Sequence, residues 1–485
     1  MEAVRTSVAP DPLPSRQPPW PAMHFVGIGG VSMSGLAGAL ATLGVVVSGS
    51  DVAASVRTQR LAAAGVPVRV GHTAASVTTL PSGSLVVHST DVPPDNPELV
   101  AARARGLRVA HRSVVLDWFL RERARRAVAV TGTHGKTTTT AMAAACLTAG
   151  GLDPTVFVGA EVAGLEGGNY RLGGGDVAVA EADESDGSFL RYSPDVAVAT
   201  NVEPEHLEHY GGSFEQVVAA YAVFFGRIRE GGVALVCADD PRLARLATAA
   251  PRIETYGLGP GSDVRAVDLH AGPAGTSFTV RHRERLVGTF HLAVPGRHNV
   301  TNALAALAAG LQLGLSSDVC TRALAAYRGA ARRFEVLAQA GGITVVDDYA
   351  VHPTEVAVTL RAARERGARR VLAVFQPHRH QRASQLWDDF GPAFRDCDRL
   401  FMTEIYGPAG ADRLEGVGGA ALAELVARRS GVAVSFHPGL DEVATEVSAA
   451  MRPGDLVLVM GAGSVTAVAA RLAAIVRDRG STTVG

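Results

Sequence analysis

Cysteine is scarce in this chain: Cys146, Cys237, Cys320 and Cys397 are the only four among 485 residues, far apart and without a CxxC pair. That spacing argues against a disulfide framework and against a zinc site, and it fits a reducing cytosol. Net charge is also slight, −1 from 46 basic and 47 acidic residues, which leaves no electrostatic footprint for nucleic acid or an anionic membrane. No stretch stays apolar for ~18 residues without glycine or charge interrupting it, so no membrane span is expected. Residues 1–22 are rich in proline and lack the apolar core of a signal peptide, and they read as a disordered tail. What is present, 47% hydrophobic and 19% charged residues, suits a soluble globular protein. Its length calls for roughly two to four domains.

The strongest signal is the stretch Val128-Ala129-Val130-Thr131-Gly132-Thr133-His134-Gly135-Lys136-Thr137-Thr138. Apolar β-formers run into a glycine-rich turn, and a helix-prone stretch follows from Thr139 to Ala149. Such a turn aims successive backbone N–H groups into one cavity at a helix N-terminus, where a polyphosphate is attracted. Lys136 can reach β- and γ-phosphate oxygens, and the Thr137 hydroxyl can join the shell of a Mg²⁺ ion. Val130 stands where the strict P-loop pattern has glycine, so the loop is a variant. His24 to Gly35 repeats the strand–turn–helix device, with a helix expected over 34–43 and a strand over 45–47 ending in Gly49-Ser50-Asp51. An acidic residue about 20 positions past such a turn is the dinucleotide-fold arrangement, where it meets a ribose or base edge. Alone, that loop also fits simple packing of a helix on a sheet. With a second loop downstream it argues for two nucleotide ligands, one per domain. The basic run Arg121 to Arg126 fits a solvated linker, and an exposed helix end is the reading it favours.

Further on, strand 176–180 ends in Glu181-Ala182-Asp183-Glu184-Ser185-Asp186, and strand 196–199 ends in Thr200-Asn201-Val202-Glu203-Pro204-Glu205-His206. Ligands of open α/β sheets gather beyond the carboxyl ends of parallel strands, which places Glu181 and His206 near Lys136 and Thr137. Glu181 then suits Mg²⁺, and His206 is a candidate second ligand. Residues 255–294 suggest an antiparallel appendage. Asn299 and Asn302 begin an alanine-rich helix, as adenine-reading amides or as plain N-cap chemistry. From Arg332 onward strands and helices alternate again, the pattern of another doubly wound unit. Arg379 and Arg382 are candidates to clamp a carboxylate, or else a surface pair, and Arg332 and Arg333 are candidates to offer a cation to a γ-phosphate, or else an exposed basic hinge.

Taken in order, His24–Gly35, Gly132–Thr140, Glu181–Phe189, Thr200–Tyr210, Pro295–Ala303, Arg332–Glu335, Asp347–Glu355 and Phe375–Arg382 resemble the Mur ligase family of ATP-dependent amide-forming enzymes. The resemblance implies three α/β domains. They are an N-terminal Rossmann-like, UDP-sugar-binding domain (23–126), a central P-loop ATPase-like parallel sheet that binds ATP (127–330), and a C-terminal Rossmann-like, amino-acid-binding domain (331–485). It implies a cytoplasmic ligase of peptidoglycan precursor synthesis, using ATP and Mg²⁺ (or Mn²⁺). L-alanine would be joined to the lactyl carboxylate of UDP-N-acetylmuramate through an acyl phosphate. No nucleic acid or membrane insertion is implied, and the chain would act as a monomer or weak homodimer.

By the same resemblance Gly27, Gly29, Gly30, Ser34, Asp51, His72 and Ser89 lie at the UDP-sugar. Gly132, Thr133, His134, Gly135, Lys136, Thr137, Thr138, Asn299, Asn302, Arg333 and Asp347 lie at ATP. Thr137, Glu181 and His206 hold metal, and Lys136, Glu181, His206 and Arg333 form the catalytic set. Tyr349, His352, His378, Arg379 and Arg382 receive the amino acid, with His378 or His352 as base for its amine. The chain departs from the family pattern at Ser32, Glu205, Glu208, Val351 and His380-Gln381, the changes at 351 and 380 falling by the amino-acid pocket. Alternatives that stay open are a ligase attaching another amino acid or a peptide to the same sugar nucleotide, and a non-catalytic UDP-sugar-binding regulator.

Overall fold

A computed structural model describes residues 17–407 and 413–481, and its strands form three sheets. The first is five-stranded and parallel, with Ala22–Val26 at its centre between Val46–Asp51 and Leu85–His88. Helix Val31–Thr42 makes the first crossover. The central sheet has ten strands around Arg126–Thr131, which pairs in parallel with Val177–Glu181 on one side and Val196–Ala199 on the other. Ala127, Val128, Ala129 and Val130 are all buried, as a central parallel strand covered on both faces requires. The third sheet has six strands, five of them parallel, with Glu335–Ala340 antiparallel at one edge.

The α/β expectation holds, with adjustments at its margins. Residues 1–16 of the expected tail, and the last four of the chain, lie outside the described residues. The tail does not extend to residue 22: Trp20 is buried beneath the Arg108 guanidinium, 5.9 Å from its ring centroid, and Ala22 starts a strand. The basic run takes the favoured of its two readings, a helix end rather than a linker. Phe119–Arg123 continues a helix, Ala124 is buried, and Arg126 begins the central strand. The expected appendage fuses to the central sheet: Ile253–Gly257 and Val264–Gly272 extend it in parallel before Gly275–His282 and Arg285–Leu292 turn antiparallel.

One hydrophobic core runs unbroken through the first and central units, from Met23 and Phe25 to Val128 and Leu304. Helix Lys136–Ala149 lies against helix Arg297–Gln312, whose run of small alanines allows a close approach. The third unit has its own core on each face of its sheet. It meets the central unit through polar contacts, among them Arg382 to Glu205 at 2.7 Å and Thr354 to Glu203 at 2.8 Å. The carboxyl ends of Arg126–Thr131, Val177–Glu181 and Val196–Ala199 therefore open onto a seam that all three units border.

Candidate active site

The expected phosphate loop is shaped by two glycines with positive φ, Gly132 at +136° and Gly135 at +81°. Gly135 also caps helix Lys136–Ala149, and a Cβ there would come within 2.7 Å of Asn302 Oδ1. The end of strand Val196–Ala199 pins the loop from below. His134 N–H donates to Asn201 Oδ1 at 2.8 Å, Thr200 Oγ1 donates to His134 O at 2.5 Å, and Glu203 N–H donates to Thr133 Oγ1 at 2.8 Å.

Lys136 does not point into open space. Its Nζ donates to Gly132 O at 2.6 Å, to Thr133 O at 3.2 Å, and to the two Glu184 oxygens at 3.1 and 2.9 Å. Burial opposes the charge on Lys136, but the Glu184 and Asp183 carboxylates more than offset it and hold the ammonium above its ordinary pKa. Glu184 was one of a run of acids in the sequence, and nothing local distinguished it as the partner.

Two cavities flank the loop. One, of about 560 Å³, is lined by His134, Gly135, Thr138, Asn299 and Asn302, together with Thr137 and Arg333. The other, of about 620 Å³, is lined by Lys136, Glu181, Asp183, Arg112 and Tyr349, again together with Thr137 and Arg333. It extends to Val31, Ser32 and Arg57 beside the first glycine loop. Thr137 and Arg333 thus stand where the two cavities meet. Glu181 accepts a hydrogen bond from Gly159 N–H, and burial pushes its carboxyl upward.

Asn299 and Asn302 form a buried pair in the first cavity. Asn302 Nδ2 donates to Asn299 Oδ1 at 3.2 Å, and Asn299 Nδ2 donates to Pro295 O at 2.7 Å. The capping alternative fails, because Gly296 is the N-cap and no side chain bonds there. Asp347 does not border this cavity. It is buried and accepts from Arg332 Nε at 3.2 Å, while its neighbour Asp348 lines the cavity instead. Burial raises the Asp348 carboxyl to about 6, even though it accepts from Phe334 N–H and Ala350 N–H.

His206 does not share a cavity with Glu181. It takes a left-handed φ of +56° and lies 4.0 Å from Glu205 and 3.8 Å from Glu208, in a small cleft with Arg379 and Arg382. Arg382 Nε donates to Glu205 Oε1 at 2.7 Å, and Arg379 lies 4.0 Å from Glu208. His378 stacks on Tyr406 at 5.6 Å, and its Nδ1 lies 3.1 Å from Arg382 Nη1. Burial and the cations Arg382 and Arg379 lower His378 to about 4. Tyr349 lies elsewhere, under the guanidinium groups of Arg332 at 5.0 Å and Arg333 at 5.2 Å. His352 is buried against His134, ring centroids 4.7 Å apart. The five expected amino-acid residues therefore fall in three places.

At the first glycine loop, Gly29 N–H donates to Asp51 Oδ2 at 2.8 Å, and a Cβ on Gly29 would sit 2.8 Å from that oxygen. Gly27 supplies a φ of +79°, and Gly30 caps helix Val31–Thr42. Ser34 is internal: its hydroxyl donates to Val31 O at 2.9 Å. His72 Nδ1 meets Ser50 Oγ at 2.9 Å beside the buried Glu98, and the Ser89 carbonyl meets His88 Nδ1 at 3.0 Å. The cavity wall is formed by Ser32 and Arg57 rather than by these residues, with Arg57 Nε donating to Gly29 O at 2.6 Å. Arg57 lies outside the glycine motif, so motif reading passed over it.

A family model described as Mur ligase middle domain matches residues 130–310. One described as Mur ligase family, catalytic domain, matches 22–124, and one described as Mur ligase, glutamate ligase domain, matches 332–463. Over 467 residues the sequence is 47% identical to a UDP-N-acetylmuramate–L-alanine ligase of Symbiobacterium thermophilum, covering 95% of each chain. It is 44% identical over 452 residues to that of Acidiphilium cryptum, covering 92% of this chain and 93% of the relative. Among solved structures, the UDP-N-acetylmuramate-alanine ligase of Thermotoga maritima superposes with a TM-score of 0.80 at 30% identity, over 94% of this chain and 99% of that one. A murein peptide ligase from Psychrobacter arcticus, at TM-score 0.65 and 24% identity over 93% and 98% of the two chains, shares the fold.

Proposed function

The chain belongs to the Mur ligase family, and we propose that it joins L-alanine to the lactyl carboxylate of UDP-N-acetylmuramate in an ATP-dependent reaction. The observation that carries this reading is the meeting of two cavities at Thr137 and Arg333. ATP in the first cavity, with its base toward Asn299 and Asn302, would present its γ-phosphate at that junction. The sugar nucleotide, lying from Ser32 and Arg57 along the second cavity, would bring its carboxylate to the same place.

A carboxylate is a poor acyl donor, so its oxygen first attacks the γ-phosphorus and ADP leaves. Lys136 and Arg333 neutralise charge as it develops. The amine of alanine then attacks the acyl carbon, phosphate departs, and the ammonium proton is released. Lys136 already sits in a cage of Glu184 and loop carbonyls, so it is positioned before the nucleotide arrives. Thr137 and Glu181 offer oxygen donors in one cavity, and Glu181 is a half-buried carboxyl with a single backbone donor, so this pair fits a Mg²⁺ ion. Bound there, the ion would supply further charge neutralisation on the phosphates.

An α-amino group has a reference pKa of roughly 8, whereas His378 is held near 4. So weak a base takes the ammonium proton poorly, and desolvation of the amine accounts better for its reactivity. Val351 is buried and its N–H donates to Glu355 at 3.0 Å, away from the cleft around Arg382, so that departure does not widen the cleft. That departure therefore makes no added room for a peptide.

We place the reaction in the cytoplasm, with the chain as a monomer or weak homodimer. No helix among the described residues is long and apolar enough to cross a membrane. Phosphate release with ATP, UDP-N-acetylmuramate and each of alanine, glycine, serine and the tripeptide tests the reading. Alanine is expected to give the highest kcat/KM. Turnover with the tripeptide alone, or tight sugar-nucleotide binding without turnover, would overturn it.

A further inference from the structure

We propose that His134, Glu203 and His352 form a binding site for one Zn²⁺-like transition-metal cation, separate from the Mg²⁺ position at Thr137 and Glu181. The cysteine spacing speaks against a zinc site, but these three residues include no cysteine and come from three distant stretches of chain. His134 lies on the phosphate loop, Glu203 on the loop after strand Val196–Ala199, and His352 caps helix Pro353–Glu365 of the third unit. One nitrogen or oxygen from each lies within 4.8 Å of the others.

The spacing suits an ion. Glu203 Oε2 is 3.5 Å from His134 Nε2 and 3.6 Å from His352 Nδ1. Two ligands bound to zinc at about 2.0–2.2 Å in a tetrahedral arrangement stand about 3.4 Å apart. These separations are therefore close to a shared-ion geometry and long for a hydrogen bond. His134 Nε2 is in fact buried without a hydrogen-bond partner, and His352 is only 4% exposed.

The surroundings are those of a metal-ligating histidine. His134 Nδ1 meets Glu355 Oε1 at 3.1 Å, which directs the other ring nitrogen toward Glu203. Thr354 Oγ1 donates to Glu203 Oε2 at 2.8 Å and fixes that carboxylate. The His352 Nδ1 lone pair also receives Thr354 N–H at 3.2 Å, so the ion takes over that contact. The other half of the cap, His352 N–H to Glu355 at 3.2 Å, is left in place. His134 and Glu203 both line the nucleotide cavity, which leaves a fourth position open to water or a phosphate oxygen. Two imidazoles and one carboxylate favour zinc or cobalt over magnesium. Binding releases any proton held on the imidazoles, and it ties the phosphate loop to the third unit.

Co²⁺ titrated into the metal-stripped full chain gives the test, because four-coordinate Co²⁺ absorbs visible light far more strongly than the octahedral ion. One equivalent of the strong band is expected, displaced by Zn²⁺ and kept in millimolar Mg²⁺. Zn²⁺ affinity, read by competition with a chelating dye, should fall at least tenfold in His352→Gln and in Glu203→Gln and persist in Glu181→Ala. An octahedral spectrum in the unaltered chain overturns the proposal whether or not the variants fold. Displacement of the band by Mg²⁺, or unchanged Zn²⁺ affinity in both folded variants, does so as well.

Discussion

Substituting Glu205 should tighten the apparent affinity for alanine. Arg382, expected to receive the amino acid's carboxylate, is already occupied by a carboxylate of its own chain: Glu205 Oε1 lies 2.7 Å from its Nε, with 13% and 10% of the two side chains exposed. Its Nη1 is taken by His378 at 3.1 Å. Alanine must therefore displace Glu205 before it can use the guanidinium fork. A hydrogen bond to a charged group contributes about 1.5–3 kcal/mol, and each 1.4 kcal/mol is tenfold in affinity. Some of this is lost when the freed arginine relaxes toward solvent, so a fall in the alanine KM of about tenfold is expected for Glu205→Ala. Burial raises the Glu205 carboxyl, but Arg382 and His206 more than offset this and hold it below its usual range. The mask therefore stays in place across neutral pH, and the ratio of wild-type to variant KM should be flat from about pH 6 to 9. Initial rates of phosphate release at saturating ATP and sugar nucleotide give the comparison. A KM that rises in Glu205→Ala would refute the argument, and would mean that Glu205 holds the substrate's amine.

Four further expectations concern single residues. Lys136→Met should abolish phosphate release while sugar-nucleotide binding survives in calorimetry. The same change strands buried Glu184 at a cost of about 3–5 kcal/mol, so adding Glu184→Gln should restore stability without restoring turnover. Glu181→Ala should lower the rate and raise the Mg²⁺ concentration for half-maximal activity; wild-type Mg²⁺ dependence would remove Glu181 from the metal. Gly135→Ala places a methyl 2.7 Å from Asn302 Oδ1 at a φ of +81°, and should raise the KM for ATP more than that for the sugar nucleotide. In the first unit, burial works against the Glu98 charge, but hydrogen bonds from His24 and Ser50 hold its pKa at about 2 against a reference of 4.5. A depressed carboxyl pKa stabilises the fold above the unfolded value, by about 3 kcal/mol here, and that stability drains away as pH falls from about 4.5 to 2. Denaturant unfolding of Glu98→Gln should show a flatter pH dependence over that window.

What could be read from the sequence was local. The glycine turns, the apolar strands before them and the alternation of strands with helices are set by neighbours along the chain, so the α/β architecture and the strand–glycine turn–helix at Lys136 were legible. Partner choice is not local. Nothing near Lys136 says that Glu184, rather than Glu181 or Asp183, closes on its ammonium, since all three lie at the carboxyl end of the same strand. Asp347 and Asp348 show the limit most sharply. They end one strand, Ile343–Asp348, where successive side chains face opposite ways, so a single step decides which enters the cavity of Asn299 and Asn302 and which turns to Arg332. Motif resemblance marks the segment, and the pairing of that strand with Glu335–Ala340 on one side and Asp455–Met460 on the other fixes its register. The same reasoning explains His206. Its strand end lies beside the phosphate loop as expected, but the left-handed turn at His206 itself carries the imidazole to Glu208 and the arginine cleft, a direction that strand order does not encode. Chemistry that needs two side chains from different strands is therefore foreseen as a neighbourhood, and the partner within it is chosen by backbone geometry one residue at a time.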